Sequence, residues 1–427
     1  MTDELFLGID VGTGGVRACA IDAAARIAGL GQAPLPPPRQ DGEAIDQEPE
    51  LWWQGVKGAV AALGRHVELG AIRRVAVDGT SGTLLLADRD GRPLSPGLMY
   101  NDARAAWAAR RIAEIAPADS GAHGRSSALA KLMHLVAGQP SRSPRHAAHQ
   151  ADWIAGRLTG RFNCSDENNA LKLGYDPIAR AWPDWLDRVG LSPSHFPKVL
   201  VPGTEIGPIT AAMARETGLP ETARVHAGTT DGVAAFIATR ASALGDAVTS
   251  LGTTLVVKLL SDKPIFAAGQ GIYSHRLGEK WLAGGASNAG GAALLAHFTA
   301  DRMAALTPGL RPEQPTGLDY YPLPKPGERF PIADPALPPR VAPRPADDAA
   351  FFQGLLEGIA SIEALAYRRL AELGAPALRR VVSIGGGAKN AAWSRIRERV
   401  LGVPVERAEQ TEASYGAALL ALHAGPP

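Results

Sequence analysis

The chain has 427 residues, 45% of them hydrophobic and 20% charged, which suits two or three soluble globular domains and excludes a disordered or collagenous protein. With 44 basic and 43 acidic side chains the net charge is +1, so no overall charge calls for nucleic acid or an anionic membrane as partner. Two distant cysteines, Cys19 and Cys164, exclude a disulfide framework or a cysteine zinc site; with an acidic N-terminus and no apolar run near the length of a membrane span, they give the expectation of a soluble cytoplasmic protein.

In chain order, Leu5–Asp10 and Val16–Asp22 read as two strands around a Val11-Gly12-Thr13-Gly14-Gly15 turn, a hairpin signal. A glycine-rich turn leaves backbone N–H groups open to phosphate oxygens, and Thr13 adds a hydroxyl. Asp10, just ahead of it, is placed to hold Mg²⁺ directly or through water. A dinucleotide-binding turn is excluded, because the residues after the glycines continue as a strand rather than a helix. An ordinary hairpin with a solvated aspartate remains open.

Val75–Leu86 reads as strand, polar turn and strand, with helical patterns around 103–115 and 147–158. Within Tyr100-Asn101-Asp102-Ala103-Arg104, an acid and a guanidinium two apart can accept from and donate to sugar hydroxyls. A helix-starting aspartate with a solvated arginine is the alternative. Gly228-Thr229-Thr230-Asp231-Gly232 precedes a helix, so Asp231 is either an N-cap or a general base for a substrate hydroxyl. A helix N-terminus makes it a weak base, which suffices where the transition state is loose.

A second hairpin spans Ala247–Lys258, and laying Gly252-Thr253 over Gly12-Thr13 puts Ser250 opposite Asp10. One device used twice suggests two similar halves. Residues 307–347 hold 12 of the 34 prolines, yet Tyr320, Tyr321, Phe330 and Ile332 argue for an ordered irregular segment packed on the second half. Phe352 to Leu370 carries apolar residues at helical spacing. A buried strand at 380–384, then Gly385-Gly386-Gly387 and a helix from about Ala391, can seat a nucleotide base, with Asn390 and Trp393 closing over it. A plain strand-to-helix turn is the duller account. The ten histidines form no metal motif, and strands mixed with helices throughout give an α/β architecture.

In this order, Asp10–Thr13, Gly228–Gly232, Thr249–Thr254 and Gly385–Asn390 resemble the FGGY family of carbohydrate kinases, in the actin/sugar-kinase/Hsp70 superfamily. The stretch Ile45–Trp53 resembles that family's early Gln-acid-Pro…Trp segment, and the likeness runs over essentially the whole chain. It implies two ribonuclease-H-like domains around a central cleft. Residues 1–238 form a sugar-binding N-terminal domain with 412–427 packing back onto it, and 239–411 a nucleotide-binding C-terminal domain. Asp78–Thr83, Asn169–Tyr175, Gly317–Pro324 and Gly327–Pro335, with the short chain, resemble the compact D-ribulose kinases of cyanobacteria and plants, often labelled xylulose kinases. That branch carries serine where this chain has Gly14.

The resemblance implies ATP and Mg²⁺ as cofactors, a small sugar as partner, and neither nucleic acid nor membrane. Asp10 and Thr13 match the phosphate and metal site, with Mg²⁺ on Asp10 through water; Ser81, Asp102, Arg104 and Asp231 match sugar positions; Gly386, Gly387, Asn390 and Trp393 match the nucleotide site. Gly12, Gly252 and Thr253 join the phosphate-binding backbone, and Asp231 and Asp10 are the expected catalytic pair. The expected reaction is ATP-dependent phosphorylation of a ketopentose's terminal hydroxyl, D-ribulose to D-ribulose 5-phosphate. The alternatives are a D-xylulose or other sugar or polyol kinase, and a catalytically silent sugar- or ATP-binding regulator. An Hsp70- or actin-like ATPase is disfavoured, since the chain carries the sugar-like Asp102/Arg104 pair and no extra peptide-binding domain is expected.

Overall fold

A computed structural model describes residues 4–138 and 145–424. Two compact units divide the chain, Met1–Ala238 with Glu412–Pro427, and Thr239–Thr411.

The first unit is built on a six-stranded sheet. Leu5–Val11, Gly15–Ile21 and Ile27–Pro34 form an antiparallel meander. Ile72–Gly79 and then Arg224–Thr230 add in parallel to the free side of the first strand, and Glu205–Pro208 closes that edge. Leu5–Val11 is buried at every residue, as a strand covered on both faces must be. One face packs the helices Pro49–Leu63 and Gln150–Thr159 around Leu7, Ile9, Trp52 and Trp153. The other face takes the C-terminal helix Ala413–His423 so closely that a Cβ on Gly8 would lie 2.0 Å from the Ser414 carbonyl oxygen. Glycine at that position is what lets the helix dock on the strand.

The second unit repeats this plan. Asp246–Leu251, Leu255–Ser261 and Lys280–Ser287 make the meander, Arg380–Ile384 and Val405–Arg407 add in parallel, and Tyr273–Leu277 closes the opposite edge. The resemblance of the two hairpins thus extends to five strands of each sheet, a three-stranded meander with two parallel strands beside it, while the sixth strand joins at opposite edges. Their tips differ: Val11 pairs Val16 across four residues, whereas Leu251 pairs Leu255 across three.

Other expectations are refined. Val75–Leu86 does contain two strands, but Ile72–Gly79 lies in the main sheet and Leu84–Asp88 in a separate five-stranded sheet with Arg145–His149. Ala147 and Ala148 belong to that second sheet, and the helix begins at Gln150, where the Asp152 carboxylate accepts from the His149 N–H at 3.2 Å. The helix expected from 103 begins at Ala106. Asp348–Glu372 is long and apolar enough to cross a membrane, which the sequence reading excluded, but 72% of its apolar window is buried inside the second unit. It is buried on most sides rather than along one stripe: Gln353, Glu357 and Glu363 are enclosed together with Phe352 and Leu356. The proline-rich segment packs as expected. Tyr320, Tyr321 and Phe330 are core residues, and Glu328 pins the segment by accepting from Ser287 Oγ at 2.6 Å and the Asn288 N–H at 2.7 Å.

Candidate active site

Strand register builds the first part of the site. Asp10 lies opposite Arg17 on one side and Asp78 on the other, and Asp78 lies opposite Thr229, so four polar residues line up across four strands. Arg17 donates to Asp10 Oδ2 at 3.0 Å and lies 3.4 Å from Glu412. Burial raises the proton affinity of Asp10, and the Arg17 guanidinium opposes that shift. Asp78 is fully buried with no hydrogen-bond partner at either oxygen. Burial first, then the charges of Asp10 and Asp231, push its carboxyl well above the usual range. Asp231 opens the helix Asp231–Ala238 from the end of the next strand, its Oδ1 accepting from the Gly232 N–H at 2.7 Å.

With Asp78 pushed toward its protonated form, the Asp10 and Asp231 carboxylates with one arginine on Asp10 leave negative charge that a divalent cation would balance. Among the described residues no three His, Cys, Asp or Glu side chains converge on one ion. That leaves one or two carboxylates, the donor set Mg²⁺ uses beside water and phosphate oxygens. The residues present fit the ion. At the hairpin tip the Gly12 N–H bonds the Gly15 carbonyl at 3.0 Å, and Thr13 is half-buried. A Cβ on Gly14 would meet nothing within 4 Å, so no steric demand explains glycine there in place of serine.

The turn after Ile72–Gly79 holds Ser81, whose buried Oγ has no partner. Asp102 and Arg104 do meet, though not as a surface pair. Asp102 is fully buried and accepts from the Ile45 N–H at 2.6 Å and Arg104 Nε at 2.7 Å; Arg104 Nη2 reaches Asp46 at 2.6 Å. The alternative of a helix-starting aspartate with a solvated arginine does not hold. Asp102 itself is spent on holding Arg104, which is the more exposed of the two. Asp46 escaped the sequence reading, although it stands in the Ile45–Trp53 stretch. The rest of that stretch is structural, Trp52 Nε1 donating to Gln47 Oε1 at 2.6 Å.

In the second unit, Gly252, Thr253, Gly386, Gly387, Asn390 and Trp393 all line one cavity of about 710 Å³. Leu294, Met303, Phe352 and Leu356 make its walls apolar, and Lys389, absent from the sequence reading, adds a cation. Nothing lies within 4 Å of a Cβ built on Gly386, so backbone there is open to a flat ring. Both helix-turn residues also carry structural work. Asn390 Oδ1 accepts from the Trp393 N–H at 3.0 Å, capping Ala391–Leu401. Trp393 is buried, donates to the Leu356 carbonyl at 3.2 Å and abuts Gly387, where a Cβ would come within 2.4 Å of the indole. It is a packed wall rather than a loose lid. Size, apolar walls and glycine floor suit a nucleotide base.

Comparison with known proteins agrees with this geometry. The N-terminal domain profile of the FGGY family of carbohydrate kinases matches residues 5–238, and the C-terminal domain profile residues 247–425. The xylulose kinase of Streptomyces coelicolor is 28% identical over 436 residues, 97% of this chain and 86% of that protein. The xylulose kinase of Escherichia coli is 26% identical over 287 residues, which is 65% of this chain and 59% of that protein. The crystal structure of a xyloylose kinase from Brucella ovis superposes with a TM-score of 0.89 at 24% identity, covering 99% of this chain and 90% of that one. The two-domain fold with mixed sheets is that of the actin/hexokinase/Hsp70-like class. On these matches the chain belongs to the FGGY family of carbohydrate kinases, and it is a sugar kinase.

Proposed function

We propose that this kinase phosphorylates the terminal hydroxyl of D-ribulose with ATP, giving D-ribulose 5-phosphate and ADP. The observation that carries the reading is the buried Asp10–Asp78 pair beside Asp231 at the ends of three parallel strands. Asp231 accepts the hydroxyl proton as the new O–P bond forms and the bond to ADP breaks. Asp10, steadied by Arg17, would hold Mg²⁺ through water, and the ion when bound would neutralise phosphate charge. Backbone N–H groups at Thr13 and Thr253 bind phosphate oxygens, Gly12 and Gly252 keep the tips clear of side chains while their own N–H groups close the turns, and the cavity at Gly386, Gly387 and Asn390 takes the base. Ser81 and Arg104 hold sugar hydroxyls, with Asp102 orienting the guanidinium. In this reading the first unit binds the sugar, the second the nucleotide. The unpaired cysteines suit a reducing cytoplasm.

The preference for D-ribulose rests on the resemblance of Asp78–Thr83 and Gly317–Pro335 to the compact ribulose kinase branch. D-xylulose is the second reading, favoured by the names of the relatives. A silent regulator is disfavoured because Asp10 and Asp231 are both present. Turnover of both ketopentoses under identical ATP and Mg²⁺ tests the substrate. A xylulose preference removes ribulose and leaves the kinase; no turnover of any sugar or polyol removes the kinase reading itself.

A further inference from the structure

Lys131 is an ammonium where the packing asks for a hydrocarbon. It lies on the helix Ala128–Gly138 among Leu129, Leu132, Met133 and Leu135, and it is fully buried. Burying a charge this way is costly unless its hydrogens are spoken for. The stem does not run out to solvent. It carries Nζ to two backbone carbonyls, Gly82 at 2.8 Å and Tyr100 at 3.3 Å.

Those carbonyls belong to two different segments. Gly82, at φ +85°, sits in the turn that presents Ser81, and Tyr100 opens the loop that ends in Asp102 and Arg104. The turn is otherwise anchored through Thr80 to Gln150 Oε1, and the loop through Asp102 to the Ile45 N–H. The strands flanking the two segments meet where Leu84 pairs with Leu98, and Lys131 adds a bond to each of the segments themselves. A methionine would fill the same space without the desolvation cost, so the nitrogen's contribution is the tie between the segments.

We infer that Lys131 is a positioning residue for the sugar, setting the distance between the Ser81 turn and the Arg104 loop. The inference rests on the proposed reading in which those two segments hold the sugar's hydroxyls. A misplacement of about 1 Å between groups that share one ligand costs on the order of a hundredfold in rate or binding. Burial pushes the Lys131 amine down to about 7, with Asp102 favouring and Arg104 opposing its charge, so the groups it ties are also the groups it senses.

The test compares wild type with K131M and K131Q by steady-state kinetics and by hydrogen exchange of the ligand-free protein. K131M should raise the KM for the accepted sugar about tenfold or more, while the KM for ATP and kcat move less than about threefold. K131Q, which keeps a shorter donor, should recover part of the loss. Exchange should quicken at residues 80–83 and 100–104 and not elsewhere. An unchanged sugar KM in K131M, or equal rises for sugar and ATP, overturns the inference while wild-type activity upholds the kinase reading. Should K131M fail to fold, K131Q carries the same comparison. Should wild type turn over no sugar, the function proposal falls, and exchange alone decides: faster exchange at both segments keeps Lys131 as their tie, and unchanged exchange at either removes it.

Discussion

Asp231 stands at the first residue of a helix, where a carboxylate serves equally well as a local hydrogen-bond acceptor and as a proton acceptor for substrate. The two roles separate in Asp231→Asn. The amide oxygen still accepts from the Gly232 N–H, so the melting temperature should stay near wild type, while sugar phosphorylation should fall by about a thousandfold, within the usual loss of a general base. Surviving activity in Asp231→Asn, with a stability loss of about 1 kcal/mol in Asp231→Ala, would assign Asp231 to capping. Lys131 makes a second residue-scale prediction. Its amine titrates near 7 in the folded protein and at its ordinary higher value when unfolded, so between these the unfolded chain binds more protons. Stability should therefore rise with pH from about 7 to about 10, and K131M should flatten that slope in denaturation curves taken across the range. An equal slope in both proteins would contradict the assignment. Asp10, Ser81 and Asp231 were legible because each sits beside a glycine-rich turn. Asp78 was visible only as part of a motif, and Asp46 and Lys131 not at all as site residues. Their meaning comes from strand register and from contacts across 58 and 49 positions of chain.

Elements show the same division between local and distant information. The two hairpins, the buried strand at 380–384 and the helix from Ala391 follow from local pattern and turn chemistry. Helix starts at Ala106 and Gln150 did not, because alanine-rich segments at 103–105 and 147–148 read as helix until tertiary pairing claims them. Asn390 lies on this boundary, since it caps a helix and lines the cavity proposed for the nucleotide. Asn390→Ala should cost about 1 kcal/mol of stability. Asn390→Asp keeps the cap, so it should restore stability yet raise the KM for ATP by placing negative charge in the cavity. A normal KM for ATP in both variants would leave Asn390 a cap alone. Deeper in the same unit, Arg397 donates to Glu363 at 2.6 and 2.7 Å, both fully buried, and Glu363 also accepts from Thr249 Oγ1 at 2.6 Å. Removing one partner strands a buried charge, so Arg397→Met should lose about 3–5 kcal/mol in chemical denaturation. A loss under about 1 kcal/mol would mean the pair is not held as described.

At the scale of the molecule, the internal repeat was visible only at the hairpin tips, although five strands follow the same order in both units. The reason is physical. A tip that must offer open N–H groups specifies glycine and threonine, whereas a buried strand asks only for apolar residues and keeps no recognisable spelling. The second sheet of the first unit was invisible for a related reason, since one of its strands, Gly97–Leu98, is two residues long. Family membership explains why the glycine turns recur in both units, while substrate choice depends on a few buried polar groups that pair with one sugar configuration and are left unpaired by another. The most direct measurement is sugar-dependent ADP formation at saturating ATP and Mg²⁺, read side by side for D-ribulose, D-xylulose, ketohexoses and polyols. The account predicts turnover with ketopentoses and a kcat/KM for D-ribulose about tenfold to a hundredfold above that for D-xylulose. ADP formation that no sugar or polyol raises above the sugar-free rate would contradict it.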